Sequence, residues 1–182
     1  PLLTKADGTK FGKTAGGSVW LDPAMTSPYS FFQFWLNSDD KDVINFLKVF
    51  SFKSHEEIME LEKSHNENPG LREAHRALAR ELTSLVHSEE TTQRVEAAAR
   101  ALFGQGELSE LDEATLASAL AELPRTTVSS SEEIPTWVDL LAATGVVESK
   151  SAARRIVKEG GAYLNNEKIS GEDFRPSKSD FL

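Results

Sequence analysis

Leu71, Ala74, Leu78, Leu82 and Leu85 recur every three or four residues, a period that an α-helix turns into one apolar face. The same spacing appears on either side. Ser54 and Glu57 have the spacing of a capping box ahead of Ile58 and Leu61, and Asn68-Pro69 is read as the start of the Leu71 helix. Ser88-Glu89 restarts the chain ahead of Val95, Ala98, Ala99, Leu102 and Phe103, with Gly104 as the stop; Asp112 to Leu123 gives one more short helix closed by Pro124. Four helices with short connections predict a small α bundle. At 182 residues, 39% hydrophobic and 27% charged, the chain can bury a core in one domain or two small ones.

Charge and composition narrow the function classes. The net charge is -9 and the excess acid lies in the middle of the sequence, so nucleic acid can be met only by a local basic patch. Cysteine is absent, which excludes disulfides, a thiolate zinc site and a cysteine nucleophile and fits a reducing cytoplasm, the expected location. No apolar run approaches the ~18 residues of a membrane span, and Pro1 to Lys13 has no apolar signal core. A start at Pro1 without methionine and an apolar end at Phe181-Leu182 lead one to expect a piece of a longer protein.

Beyond Pro124, residues 125–133 are polar and hydroxyl-rich with no hydrophobic period, the composition of a linker. Pro135 is read as opening a helix through Leu141 that Gly145 ends. Ser149 then caps another that runs to Lys158 and stops at Gly160-Gly161. Asn165-Asn166, flanked by residues 162–165 and 167–169, has the turn chemistry of a tight hairpin. Helix, helix and hairpin form a second, separate module.

Two stretches carry chemistry. Residues 7–18 hold four glycines, Lys10 and Lys13, and several hydroxyls, a donor set suited to phosphate oxygens. They are not a Walker A loop, because the required first glycine falls on Asp7. From Ser149 to Lys158, the side chains of Lys150, Arg154, Arg155 and Lys158 fall within an arc of roughly 140° at 100° per residue, opposite Ala152, Ala153, Ile156 and Val157. Other signals are weaker. His55-Glu56-Glu57 opens like HExxH, but Met59 stands where the second histidine belongs; His65, His75 and His87 form no ligand pattern, so no metal is expected. Gly17-Ser18-Val19 lacks the second glycine of a nucleophile elbow. The aromatic run Tyr29, Phe31, Phe32, Phe34 and Trp35 is read as core rather than as a base-stacking platform.

Lys10-Phe11-Gly12-Lys13-Thr14 resembles the KMSKS signature of class I aminoacyl-tRNA synthetases, in the form seen in the bacterial tyrosyl-tRNA synthetase family. Residues 19–22, 26–35 and 39–52 resemble the segment that follows that loop, and residues 71–87 and 95–103 do so less sharply. Residues 149–158, together with Leu140-Leu141, Gly145 and the hairpin over 163–168, resemble the small RNA-binding fold named after the fourth small-subunit ribosomal protein. Nothing in the sequence corresponds to the family's HIGH signature or tyrosine pocket. The resemblance implies a mainly α chain: the tail of a Rossmann-type catalytic domain with its loop over 1–35, a helical anticodon-binding domain over 36–124, a linker over 125–133, and an α+β RNA-binding module over 134–182, incomplete at its end. It implies that Lys10 and Lys13 act catalytically on the phosphates of ATP, with Gly12 and Thr14 beside them. Gly12 replaces the signature's inner serine, so it carries no side-chain role. Lys150, Arg154, Arg155, Lys158 and Lys168 are expected to meet RNA. The implied substrates are ATP with magnesium, tyrosine and tRNA(Tyr), in a homodimeric enzyme of which this piece alone is inactive. The rival reading is a non-catalytic RNA-binding adaptor.

Overall fold

The computed structural model describes residues 3–12, 19–102, 108–121, 123 and 134–181, and these are mainly helical. The chain divides into two compact units, Pro1–Glu96 and Ala97–Leu182. The linker predicted at 125–133 lies outside the described residues.

The first unit is built on aromatic and aliphatic helix faces. α1 (Pro28–Leu36) starts where Ser27 accepts the Ser30 N–H and Pro28 supplies a preset φ. Its Phe31, Phe32 and Trp35 are buried, as the core reading of that run requires. α2 (Val43–Phe50) buries Val43, Phe46 and Leu47. α3 (His55–Glu67) opens on the predicted capping box: Ser54 Oγ accepts from Glu57 N, while the Glu57 carboxylate accepts from Ser54 N at 2.7 Å. α4 (Glu73–His87) is the central helix, in contact with α1, α2 and α3, and it buries Ala74, His75, Leu78, Ala79, Leu82 and Thr83. Large side chains sealed this way each contribute roughly 1.5–3 kcal/mol.

The predicted α4 stripe is corrected at both ends. Pro69–Leu71 forms a 3-10 turn, Arg72 takes a left-handed conformation (φ 50), and α4 begins only at Glu73. Leu71 consequently stays exposed, at 51%, and Leu85, near the far end of α4, is exposed at 60%. The Arg72 guanidinium turns back to donate to the Leu36 carbonyl at 2.6 Å, which ties the α4 entry to the end of α1. α5 (Glu89–Leu102) starts after Ser88, whose Oγ accepts from Thr91 N.

In the second unit, α6 (Glu113–Ala119) is capped by Asp112 and is shorter than its sequence pattern. α7 (Trp137–Ala143) starts two residues after Pro135, with Thr136 as its N-cap. α8 (Lys150–Glu159) is capped by Ser149 and ends on Gly160 in the left-handed conformation (φ 74). β1 (Tyr163–Leu164) and β2 (Glu167–Lys168) pair antiparallel, with Tyr163 opposite Lys168. Asn165 and Asn166 both have positive φ, 49 and 69, which the turn between two right-twisted strands demands. Val138, Ala153, Val157, Ala162 and Ile169 form the core, with Trp137, Ile156, Leu164 and Phe174 packed against it.

Candidate phosphate loop and basic face

Lys10 sits at the end of a small backbone hairpin. Thr4 and Lys10 form an isolated antiparallel bridge, Phe11 N donates to the Leu3 carbonyl at 3.2 Å, and Lys5 N donates to the Thr9 carbonyl at 2.8 Å. Asp7 accepts from the Thr9 hydroxyl at 2.6 Å and from its N–H, and these bonds hold its carboxyl below the usual range. The next residue is the structural tie. The Phe11 ring stacks on Trp35 at 5.6 Å and meets Phe46 at 5.2 Å, Phe50 at 5.4 Å and Phe34 at 6.1 Å. Aromatic pairs in such offset and edge geometries add about 0.5–1.5 kcal/mol each beyond area burial. The chain is thereby pinned to α1 and α2 immediately before Gly12, while Lys10 remains exposed. Lys13 and Thr14 lie outside the described residues.

The second candidate face is the outer side of α8. Lys150, Arg154, Arg155 and Lys158 are all exposed, and burial of Ala153 and Val157 holds the opposite side against the core. Lys168 joins them from β2: Gly160 has no Cβ, and one placed there would overlap Cε and Nζ of Lys168, which therefore runs across the end of α8. A cation at that end faces the partial negative charge of the last carbonyls.

Acidic groups that sequence spacing gave no sign of stand among these cations. Asp139 of α7 pairs with Lys150 at 2.7 Å; the hydrogen bond from Lys150, then that from Thr136, lower its pKa. Glu172 pairs with Arg154 at 3.3 Å and with Lys158 at 3.0 Å. Arg155 and Lys168 form no ion pair among the described residues. A groove of about 450 Å³ lies beside Glu172, lined by Lys158, Lys168, Ser170 and Gly171.

Asp40, His65 and His75 also converge, with ligand-type atoms all within 4.8 Å of one another, although the histidines are ten residues apart and lie on different helices. His75 is fully buried, and its Nε2 donates to Ser38 O at 3.1 Å and faces Asp40 Oδ1 at 3.2 Å; His65 Nε2 bonds Asp40 O at 2.9 Å. Burial first, and then Arg72, push the His75 pKa down, so its ring is neutral. The group ties the α1–α2 connection onto α3 and α4. His87, the last residue of α4, lies edge-on to Phe31 at 5.0 Å, and burial lowers its pKa.

Two family models match this sequence: tRNA synthetases class I (W and Y) over residues 1–104, and the tyrosine–tRNA ligase SYY-like C-terminal domain over residues 115–182. The tyrosine–tRNA ligase of Streptomyces avermitilis is 63% identical over 182 residues, all of this chain and 42% of that protein. That of Streptomyces coelicolor is 60% identical, again across the whole chain and 42% of the relative. The chain therefore spans about two fifths of the length of the curated relatives it matches. The crystal structure of a C-terminally truncated Aspergillus nidulans mitochondrial tyrosyl-tRNA synthetase is similar over 47% of this chain and 25% of its own, with 35% identity and a TM-score of 0.45.

Proposed function

Since this chain belongs to the class I tRNA synthetases (W and Y), we propose that it is part of a tyrosine–tRNA ligase and supplies that enzyme with its ATP-phosphate loop and its RNA-binding surfaces. The observation that carries this reading is the succession, within one sequence, of a class I synthetase match over 1–104 and a tyrosine–tRNA ligase C-terminal match over 115–182. An RNA-binding adaptor is not favoured, because the likeness to ligases runs through the loop as well as the module.

In the reaction proposed, the tyrosine carboxylate attacks the α-phosphorus of ATP and pyrophosphate leaves, giving tyrosyl-adenylate; the tyrosyl group then passes to a ribose hydroxyl of tRNA(Tyr) and AMP leaves. Lys10 and Lys13, with Gly12 and Thr14 beside them, hold the phosphates as charge builds on the leaving group. Magnesium arrives with ATP as part of the substrate, and no protein-bound metal is assigned. The tight seat of Phe11 supports a role for Lys10, since it fixes the backbone from which that side chain extends. Residues 36–124 are assigned to the anticodon-binding domain, 125–133 to the linker and 134–182 to the RNA module. Lys150, Arg154, Arg155, Lys158 and Lys168 are the RNA contacts. Tyrosine binding and homodimer formation belong to parts of the enzyme outside this sequence, which is inactive by itself.

Charge reversal tests the assignment in the whole ligase. Arg154→Glu with Lys158→Glu should weaken tRNA(Tyr) binding and flatten its salt dependence by roughly 0.7 to 0.9 for each phosphate no longer neutralised. Tyrosine-dependent pyrophosphate exchange, which needs no RNA, should be unchanged. Unaltered tRNA affinity across a salt titration would remove these residues from the RNA site.

A further inference from the structure

We propose that Glu172 is a resident competitor for RNA phosphate: its carboxylate takes the two cations of α8 that a backbone phosphate would take, and tRNA must displace it. The inference rests on the RNA-binding reading of this face. Arg154 and Lys158 are one helical turn apart and converge on a single carboxylate, Lys158 on Oε1 at 3.0 Å and Arg154 on Oε2 at 3.3 Å. One negative charge shared by two outer oxygens is also what a phosphodiester offers to the same pair of donors. A carboxylate so placed fills the seat of an anion.

Glu172 does not come from α8, so this is not the routine support of one helical turn by another. It is delivered from the tail beyond β2, in a turn fixed on both sides. Gly171 before it has φ 109, and Phe174 after it packs on the module core while its carbonyl accepts from Trp137 N at 2.8 Å. The pairs are nonetheless exposed, Glu172 by 33% and Lys158 by 72% at the side chain. Exposed ion pairs favour the closed arrangement by a factor of only about 1.5 to 5 each, so they can be displaced.

Selectivity follows from what Glu172 leaves open. Arg155 and Lys168 form no ion pair among the described residues, and Lys168 lines the groove beside Glu172. A lone phosphate or mononucleotide meets cations already neutralised by Glu172. A continuous nucleic-acid backbone can hold Arg155 and Lys168 while it evicts the carboxylate, gaining Arg154 and Lys158 in the same event. The tail thereby biases the face toward phosphate arrays over single anions.

The test uses the whole ligase and a labelled tRNA(Tyr) transcript, with affinity read by anisotropy at low and at high salt. Glu172→Gln should bind roughly 2- to 10-fold more tightly at low salt, with the gain shrinking as salt screens the ion pairs. Asp173→Asn removes the same charge one residue away, where no ion pair exists among the described residues, and should gain distinctly less. In an Arg154→Glu, Lys158→Glu background the gain from Glu172→Gln should vanish. Three results overturn the proposal: Glu172→Gln no tighter than Asp173→Asn, a gain that survives in the charge-reversed background, or weakened binding. If charge reversal itself leaves tRNA affinity unchanged, the RNA reading of the face falls and this inference falls with it; failure of Glu172→Gln alone leaves that reading standing.

Discussion

Lys10 stands between a backbone bridge to Thr4 and the packed ring of Phe11, so its position owes little to its own side chain. Replacing it with alanine should therefore remove an ammonium without disturbing the fold. Loss of one donor aimed at developing charge costs about 2.7–4 kcal/mol, so Lys10→Ala in the whole ligase should slow tyrosyl-adenylate formation on the order of a hundredfold or more, with tyrosine affinity nearly unchanged. A pyrophosphate-exchange rate equal to the parent enzyme's would end that assignment. His75 makes a different prediction, about stability. Burial opposes its protonation most, Arg72 and His65 act the same way, and Asp40 and the Ser38 carbonyl, which favour it, are outweighed, so its pKa lies below the ordinary 6.5. Above 6.5 the ring is neutral in both folded and unfolded chains. As pH falls below that value the unfolded chain takes up a proton that the folded one refuses, so stability declines by up to about 1.4 kcal/mol per pH unit until the folded pKa is reached. Urea denaturation between pH 7.5 and 5.5 should show this slope, and His75→Gln, which keeps a donor for the Ser38 carbonyl, should reduce it, leaving the share due to half-buried His87. An identical slope in the variant would mean that His75 does not titrate between the two states.

α8 shows how local rules and tertiary demands meet in one element. Ser149, the alternation of basic and small apolar residues, and the Gly160-Gly161 stop are all visible in the sequence, and the helix runs where they put it. The capping box at Ser54 and Glu57 and the Asn165-Asn166 turn were legible for the same reason: each is completed within four residues. What escaped notice depends on segments that only folding brings together. Glu172 reaches α8 from the tail, Asp40 and two histidines meet from three elements, and Leu71 loses its place on α4 because the Arg72 side chain holds the α4 entry to the Leu36 carbonyl. Gly160 carries both kinds of demand. Its φ of 74 disfavours any side chain, and a Cβ would displace Lys168 from the end of α8. A residue with a Cβ in the left-handed region costs about 1–2 kcal/mol. Gly160→Ala should accordingly speed amide hydrogen exchange in the last turn of α8 by roughly 5- to 30-fold, with little change in α4. Unchanged protection at Val157 and Lys158 would show that the left-handed stop contributes nothing to the helix.

At the scale of the whole chain, the two compact units and the two family matches raise the question of where the polypeptide passes from one working part to the next. Residues 125–133 lie outside the described residues, and the proposal that they form a linker rests on composition: an arginine, hydroxyl side chains and two glutamates, with one valine as the sole large apolar residue. Such a stretch has nothing to bury. On the far side the module is tied at its own start, because Trp137 N donates to the Phe174 carbonyl and Arg175 donates to the Ile134 carbonyl at 2.8 Å; Asn166 also donates to the Ala101 carbonyl at 2.6 Å, so the end of α5 belongs to the same compact unit. A protease should find its first cut between Arg125 and Glu133, because that composition offers almost no apolar anchor. Trypsin at Arg125 and a glutamate-specific protease at Glu132 or Glu133 offer independent readings of the same segment. Limited digestion followed by mass measurement should release a module beginning near residue 134 while α4 stays intact. First cuts inside α4 or α5 would instead place the boundary within the helical part and overturn the division proposed at 125–133.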